Sequence, residues 1–261
     1  GWRSEVPSIH LTFGRLWHEA LESIYRNAFS VQAVGDALTL FDPIEEWGDR
    51  YGNKSAANAR AGLIEYAARY ARDVETYEID GVEEGGSVLI APDRYLIFNK
   101  DIRAHRRGDG KPIIIEHKTA SSTGPTWSRQ WALSLQVGTY IYSEKIEHDL
   151  AVDCLVNCTC FLKAARKFER VLCMRSEEML KVWLVTVNAL YSELEFELQV
   201  LAECGPQDTV LQAFPLNPSA CSSYAGCPYH DYCTSWPNPL RYAPEPPLGF
   251  TIDFWNPCLK A

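Results

Sequence analysis

The chain has 261 residues, enough for one large core or a core with appendages. With 46% hydrophobic and 23% charged residues it has the balance of a soluble globular protein, and no apolar run reaches the roughly 18 residues of a membrane span. A net charge of −9 argues against a protein that coats nucleic acid indiscriminately, although Lys100–Lys118 carries six basic residues against three acidic and Lys163–Arg175 five against one.

In chain order, residues 8–30 read as an amphipathic helix with Ser8 as its N-cap and Leu11, Leu16, Leu21 and Ile24 on or near one apolar face. Residues 53–73 form a second helix, rich in Ala, Arg and Glu. Three strands are predicted next, over 86–91, 94–104 and 113–115, separated by the turn-prone Ala91-Pro92-Asp93 and Gly108-Asp109-Gly110. A helix over 127–147, strands over 151–162 and 168–174 and a long helix over 177–203 follow. From Gly205 the chain is rich in Pro, Cys, Tyr and Trp, with little periodicity. The expectation is an α/β protein: a mixed sheet flanked by helices over 1–204, and a cysteine-bearing segment over 205–261 packed on that core.

The chemistry centres on Ile113-Ile114-Ile115-Glu116-His117-Lys118-Thr119. A β-branched strand is expected to end in a carboxylate and an amine, both on one face and about 7 Å apart. One can hold a cation and the other can orient water; a frayed surface Glu–Lys pair is the alternative. Asp101 lies in the preceding strand, so a hairpin through Gly108–Gly110 returns the chain and lets Asp101 and Glu116 converge. Two carboxylates with the main-chain carbonyl of His117 form a hard-oxygen site suited to Mg²⁺ or Mn²⁺.

Two further motifs stand in order. Gly14-Arg15-Leu16-Trp17-His18-Glu19-Ala20-Leu21-Glu22 fits G-x-x-x-H-x-x-L-E, and Gln136-Val137-Gly138-Thr139-Tyr140 fits Q-x-x-x-Y. His18-Glu19 is not a zinc-protease site, because position 22 is Glu and not His. Gln136 and Tyr140, four apart, share a helix face.

Together, over residues 14–140, these motifs resemble the PD-(D/E)XK superfamily in its RecB-like branch of helicase-associated, CRISPR-adaptation and phage nucleases. The resemblance implies a restriction-endonuclease-like core and a metal-dependent deoxyribonuclease, an exonuclease of DNA processing, repair or recombination. It implies Asp101, Glu116 and Lys118 as catalytic residues. His18, Asp101, Glu116 and the His117 carbonyl become metal ligands, and Gln136 and Tyr140 lie at the DNA backbone. A helicase or recombination partner and the cytoplasm of a bacterial or phage-infected cell are implied as well; the opening Gly-Trp-Arg-Ser-Glu has no signal-peptide pattern. One departure stands out: the family's glycine in a G-x-x-D strand is replaced in Phe98-Asn99-Lys100-Asp101, which leaves a fold kept without full turnover as the rival reading. Glu83 falls where family members often carry a strand glutamate and is read as structural.

Of nine cysteines, Cys221, Cys227 and Cys233 are spaced by six. Three thiolates in an irregular segment suggest a soft-metal site, and the resemblance implies a [4Fe–4S] cluster, with Cys₃His zinc or three buried free thiols as alternatives. The fourth ligand is open among Cys158, Cys160, Cys204, Cys258 and His230.

Overall fold

A computed structural model describes residues 1–221 and 226–254. In chain order its main elements are β1 (Trp2–Ser4), α1 (Ile9–Arg26), α2 (Val31–Thr39), α3 (Ala56–Tyr70), α4 (Asp73–Thr76), β2 (Tyr77–Ala91), β3 (Arg94–Arg106), β4 (Pro112–Ala120), α5 (Pro125–Gln130), α6 (Leu135–His148), β5 (Asp153–Leu162), β6 (Ala165–Cys173), α7 (Glu177–Glu203), α8 (His230–Ser235) and β7 (Phe250–Ile252). The chain divides into two compact units: Ser8–Leu184, and a second made of Gly1–Pro7 with the chain from Val185 onward. Among the described residues no helix is long and apolar enough to cross a membrane.

The first unit is α/β, as expected. Its mixed sheet has the order β2-β3-β4-β5-β6, antiparallel except for the parallel pair β4–β5. A strand covered on both faces must be apolar on both, and Ile113, Ile114 and Ile115 meet that demand, at 2%, 0% and 0% exposure. Each such side chain contributes about 1.5–3 kcal/mol on burial. Ile113 and Ile115 pack with Phe13, Trp17, Leu21 and Ile24 of α1 and with Leu63 and Tyr66 of α3. Ile114 packs with Val137, Tyr140 and Ile141 of α6.

Several predicted elements change at their ends. The helix expected over 8–30 stops at Arg26, because Ala28 and Phe29 turn the chain at φ 49° and 56°. Ser30 then caps the separate α2, its side chain accepting the Ala33 amide. Leu11 is 70% exposed, and Phe13 and Trp17 fill the buried face instead. The helix expected over 127–147 is broken at Ser134, whose side chain accepts the Val137 amide and starts α6. The strand expected over 113–115 does not end at Glu116. It runs to Ala120, because parallel pairing with β5 continues through Ala120↔Cys160.

The second unit has a two-stranded sheet, with Trp2, Arg3 and Ser4 opposite Ile252, Thr251 and Phe250. Half-buried and exposed rings cluster in it: Trp2 meets Tyr232 and Trp236 edge-on at 6.2 and 5.8 Å, and Trp236 stacks on Tyr242 at 4.3 Å. Its boundary falls within α7, whereas a break at 204/205 was expected, and it includes the chain's first residues. A three-residue strand has no periodicity to announce that pairing.

Candidate functional site

The site lies where β3 and β4 part. Their register runs from His105↔Pro112 to Ile102↔Ile115; past that pair β4 continues against β5. In the gap the Asp101 side chain takes over from the ladder, its Oδ2 accepting the His117 amide at 2.6 Å. Residues on both sides of the sheet can therefore approach Asp101. By alternation Ile114, Glu116 and Lys118 face α6, while Ile113, Ile115 and His117 face α1.

From α1, His18 brings Nδ1 to 3.3 Å from Asp101 Oδ1. From β2, Glu83 stands between the pairs Val82↔Ile102 and Glu84↔Lys100, across from Asp101. Glu83 adopts φ 55°, the left-handed region that a non-glycine residue enters at a cost of about 1–3 kcal/mol. Donor atoms of His18, Glu83 and Asp101 all lie within 4.8 Å of one another, the arrangement of a possible metal site. Read as structural from the sequence, Glu83 instead belongs to this cluster. A strand glutamate with glycines two residues away on either side, Gly81 and Gly85, was the available signal.

From the α6 face, Glu116 Oε1 accepts bonds from Lys118 Nζ and, at 2.8 Å, from Gln136 Nε2. Glu116 is 1% exposed, and its Oε2 is buried with no hydrogen-bond donor among the described residues. Such an oxygen carries a desolvation cost of about 1–3 kcal/mol, more when charged, and a divalent cation is among the few partners that can offset it. Gln136 also bonds the Tyr140 hydroxyl at 2.7 Å, and that hydroxyl donates to the Asn99 carbonyl at 2.7 Å. Expected at the DNA backbone, both side chains hold protein groups, and Tyr140 is 3% exposed. Lys118 Nζ lies 5.8 Å from the centroid of the Trp131 ring.

The electrostatics separate the two carboxylates. Burial pushes Asp101 up, but His18 and the His117 amide outweigh it and hold Asp101 well below its ordinary range. Burial and the nearby Asp101 charge push Glu116 up to about 7, against the pull of Lys118. For His18, burial disfavours the proton, yet the Asp101 carboxylate prevails and the pKa is raised. The His117 ring, buried near Tyr25 and Tyr66, is brought down to about 3 by burial, and neither ring nitrogen has a partner among the described residues. His117 thus serves Asp101 through its backbone.

Two carboxylates and one imidazole, those of Glu83, Asp101 and His18, form the group that could hold a metal ion, and Lys118 is tied to the buried Glu116. Cys221, Cys227 and Cys233 belong to the second unit, where the Cys227 amide donates to the Cys221 carbonyl at 3.1 Å. Cys158 and Cys160 are instead buried in β5, and Cys258 lies outside the described residues. No protein-family model matches this sequence, and no curated protein matches it.

Proposed function

We propose that the chain is a divalent-metal-dependent nuclease of the PD-(D/E)XK type, RecB-like branch, that hydrolyses DNA phosphodiester bonds, with exonucleolytic processing in repair or recombination as its role. The observation that carries this reading is the meeting of His18, Glu83 and Asp101 in the gap, with a buried Glu116 whose Oε2 has no donor among the described residues. When bound, Mg²⁺ or Mn²⁺ would supply Lewis acidity and charge neutralisation at phosphorus. Asp101, Glu116 and His18, joined by Glu83, would hold it.

The chain's own residues do the rest. Lys118, tied to Glu116, places an ammonium where a water and a phosphate oxygen would be oriented. Gln136 fixes the Glu116 carboxylate, and Tyr140 fixes the strand before Asp101. Cys221, Cys227 and Cys233 offer three thiols for a [4Fe–4S] cluster or zinc, with the fourth donor unassigned; iron and zinc analysis of anaerobically purified protein decides between them. DNA, and a helicase or recombination partner, follow from the nuclease reading alone.

The test is cleavage of linear and circular DNA, single- and double-stranded, with Mg²⁺ or Mn²⁺. Glu116→Ala should lower the rate by at least ~100-fold, and Lys118→Ala should retain Mn²⁺ binding while losing most turnover. Cleavage by Glu116→Ala at the parent rate would show that the site is elsewhere. Mn²⁺ binding without cleavage of any substrate would favour the rival, a DNA-binding scaffold that kept the fold, for which Phe98 in place of the family glycine is the motive.

A further inference from the structure

Lys100 is a lysine with almost no access to water. Its Nζ lies 2.6 Å from Glu144 Oε1, and the two side chains are 3% and 1% exposed. Glu147 approaches the same ammonium at 3.7 Å, and the Phe98 ring lies 4.5 Å from it. Phe98 occupies the position of the glycine that the nuclease motif would have. Room for its ring comes from the neighbouring strand: a Cβ on Gly86 would sit 2.6 Å from it. Burying an ion pair is a net cost unless its geometry serves another end.

That end is suggested by where the pair sits. Strict alternation would put residues 98, 100, 102 and 104 on one face of β3. Instead Phe98 packs in the cluster under α6, and Ile102 and Ala104 pack in the one under α1. The strand changes face around Asp101, opposite the left-handed Glu83 of β2. On α6, Gln136, Tyr140 and Glu144 recur every four residues along one stripe. They engage in turn the Glu116 carboxylate, the Asn99 carbonyl and the Lys100 ammonium.

We propose that Lys100 and Glu144 are positioning residues for Asp101: their buried ion pair clamps β3 to α6 where the strand changes face, and so sets Asp101 opposite Glu116. The inference rests on the metal-site reading and extends the Gln136–Tyr140 pattern by one helical turn, to Glu144. Neither residue touches substrate or metal.

The experiment measures Mn²⁺ affinity of the full chain, without DNA, by electron paramagnetic resonance of the free ion. The double variant Lys100→Met/Glu144→Leu removes both charges together and leaves neither partner unpaired. It should remain folded while the Mn²⁺ dissociation constant rises about 10-fold, the scale found when groups supporting a metal ligand are removed. A merely structural pair would leave that constant unchanged, and an unchanged constant overturns the proposal. If the double variant does not fold, Glu144→Gln, which keeps the volume and an acceptor for Lys100, is measured in its place. The same rise supports the proposal and parent affinity overturns it. A parent chain that binds no Mn²⁺ would sink the metal reading itself, whereas a binding parent with an unaffected variant sinks the clamp alone.

Discussion

The two units solve the problem of stability with different materials. The unit from Ser8 to Leu184 buries Lys100, Asp101, Glu116 and His117 in its sheet and Asp73 and Glu144 on helices α4 and α6. In the other unit Asn238 is the buried polar side chain among the described residues, and half-buried rings meet one another. Asn238 is neutral and fully employed: it accepts the Leu240 amide and donates to the Asp208 carbonyl. Charge can be kept from water only where a rigid scaffold supplies partners at fixed positions. Five strands with helices on both faces provide that, and a three-residue ladder with aromatic edges does not.

The sharpest way to break the contrast is to strip one partner from a buried charge. Asp73 accepts from Tyr25 at 2.6 Å and from Arg170 Nη1 at 2.9 Å. Asp73→Ala would strand the Arg170 guanidinium, and urea unfolding should report a loss of about 3–5 kcal/mol. A loss under about 1 kcal/mol would mean that the cluster is effectively solvated. A smaller effect is expected from the aromatic unit. Trp2→Ala removes two edge contacts and the Nε1 bond to the Ala243 carbonyl. It should cost about 1–3 kcal/mol locally. The measurement is limited proteolysis: faster cutting within 205–254 with the first unit intact. Simultaneous unfolding of both units would erase the distinction.

The smallest expected effect concerns the Glu116 proton at the proposed metal site. Burial raises Glu116 from 4.5 to about 7, so the native state binds its proton more tightly than the unfolded chain. This contribution to stability is fully present below about pH 4.5 and is lost as pH rises through about 7. Metal binding must displace the same proton, so the gain in Tm on adding Mn²⁺ should be larger at pH 8 than at pH 5.5. An equal gain at both pH values would remove Glu116 from the ligand set.

Much of this could be read from the residues alone, for reasons that can be named. Three consecutive isoleucines followed by Glu-x-Lys identify a covered strand carrying chemistry, because period two fixes which side chains share a face. α7 was found at its observed bounds, Glu177–Glu203, since long helices announce themselves by pattern. Glu83, read as structural, stands with His18 and Asp101 through a left-handed backbone and a neighbour across the sheet, neither of which has a local signature. The burial of Lys100 has no local signature, since it follows from Phe98 and from a glutamate forty-four residues away. Glu144, in contrast, was within reach, lying four residues beyond Tyr140 on a face already recognised. The break at Ser134 was readable too, as a capping serine inside a predicted helix.

The pairing of Trp2–Ser4 with Phe250–Ile252 has a kinetic consequence. Strand β1 leaves the ribosome before the other strands, and its partner emerges about 250 residues later, so that ladder has very high contact order. At roughly 5–20 residues per second, β1 waits on the order of ten seconds or more without a partner. The sheet around Asp101 and Glu116 joins strands no more than about a hundred residues apart, and it can assemble while β1 is still waiting. Protection of the Arg3 amide in pulse-labelled hydrogen exchange would then mark the last step of folding, and refolding from urea should develop metal affinity before that amide is protected.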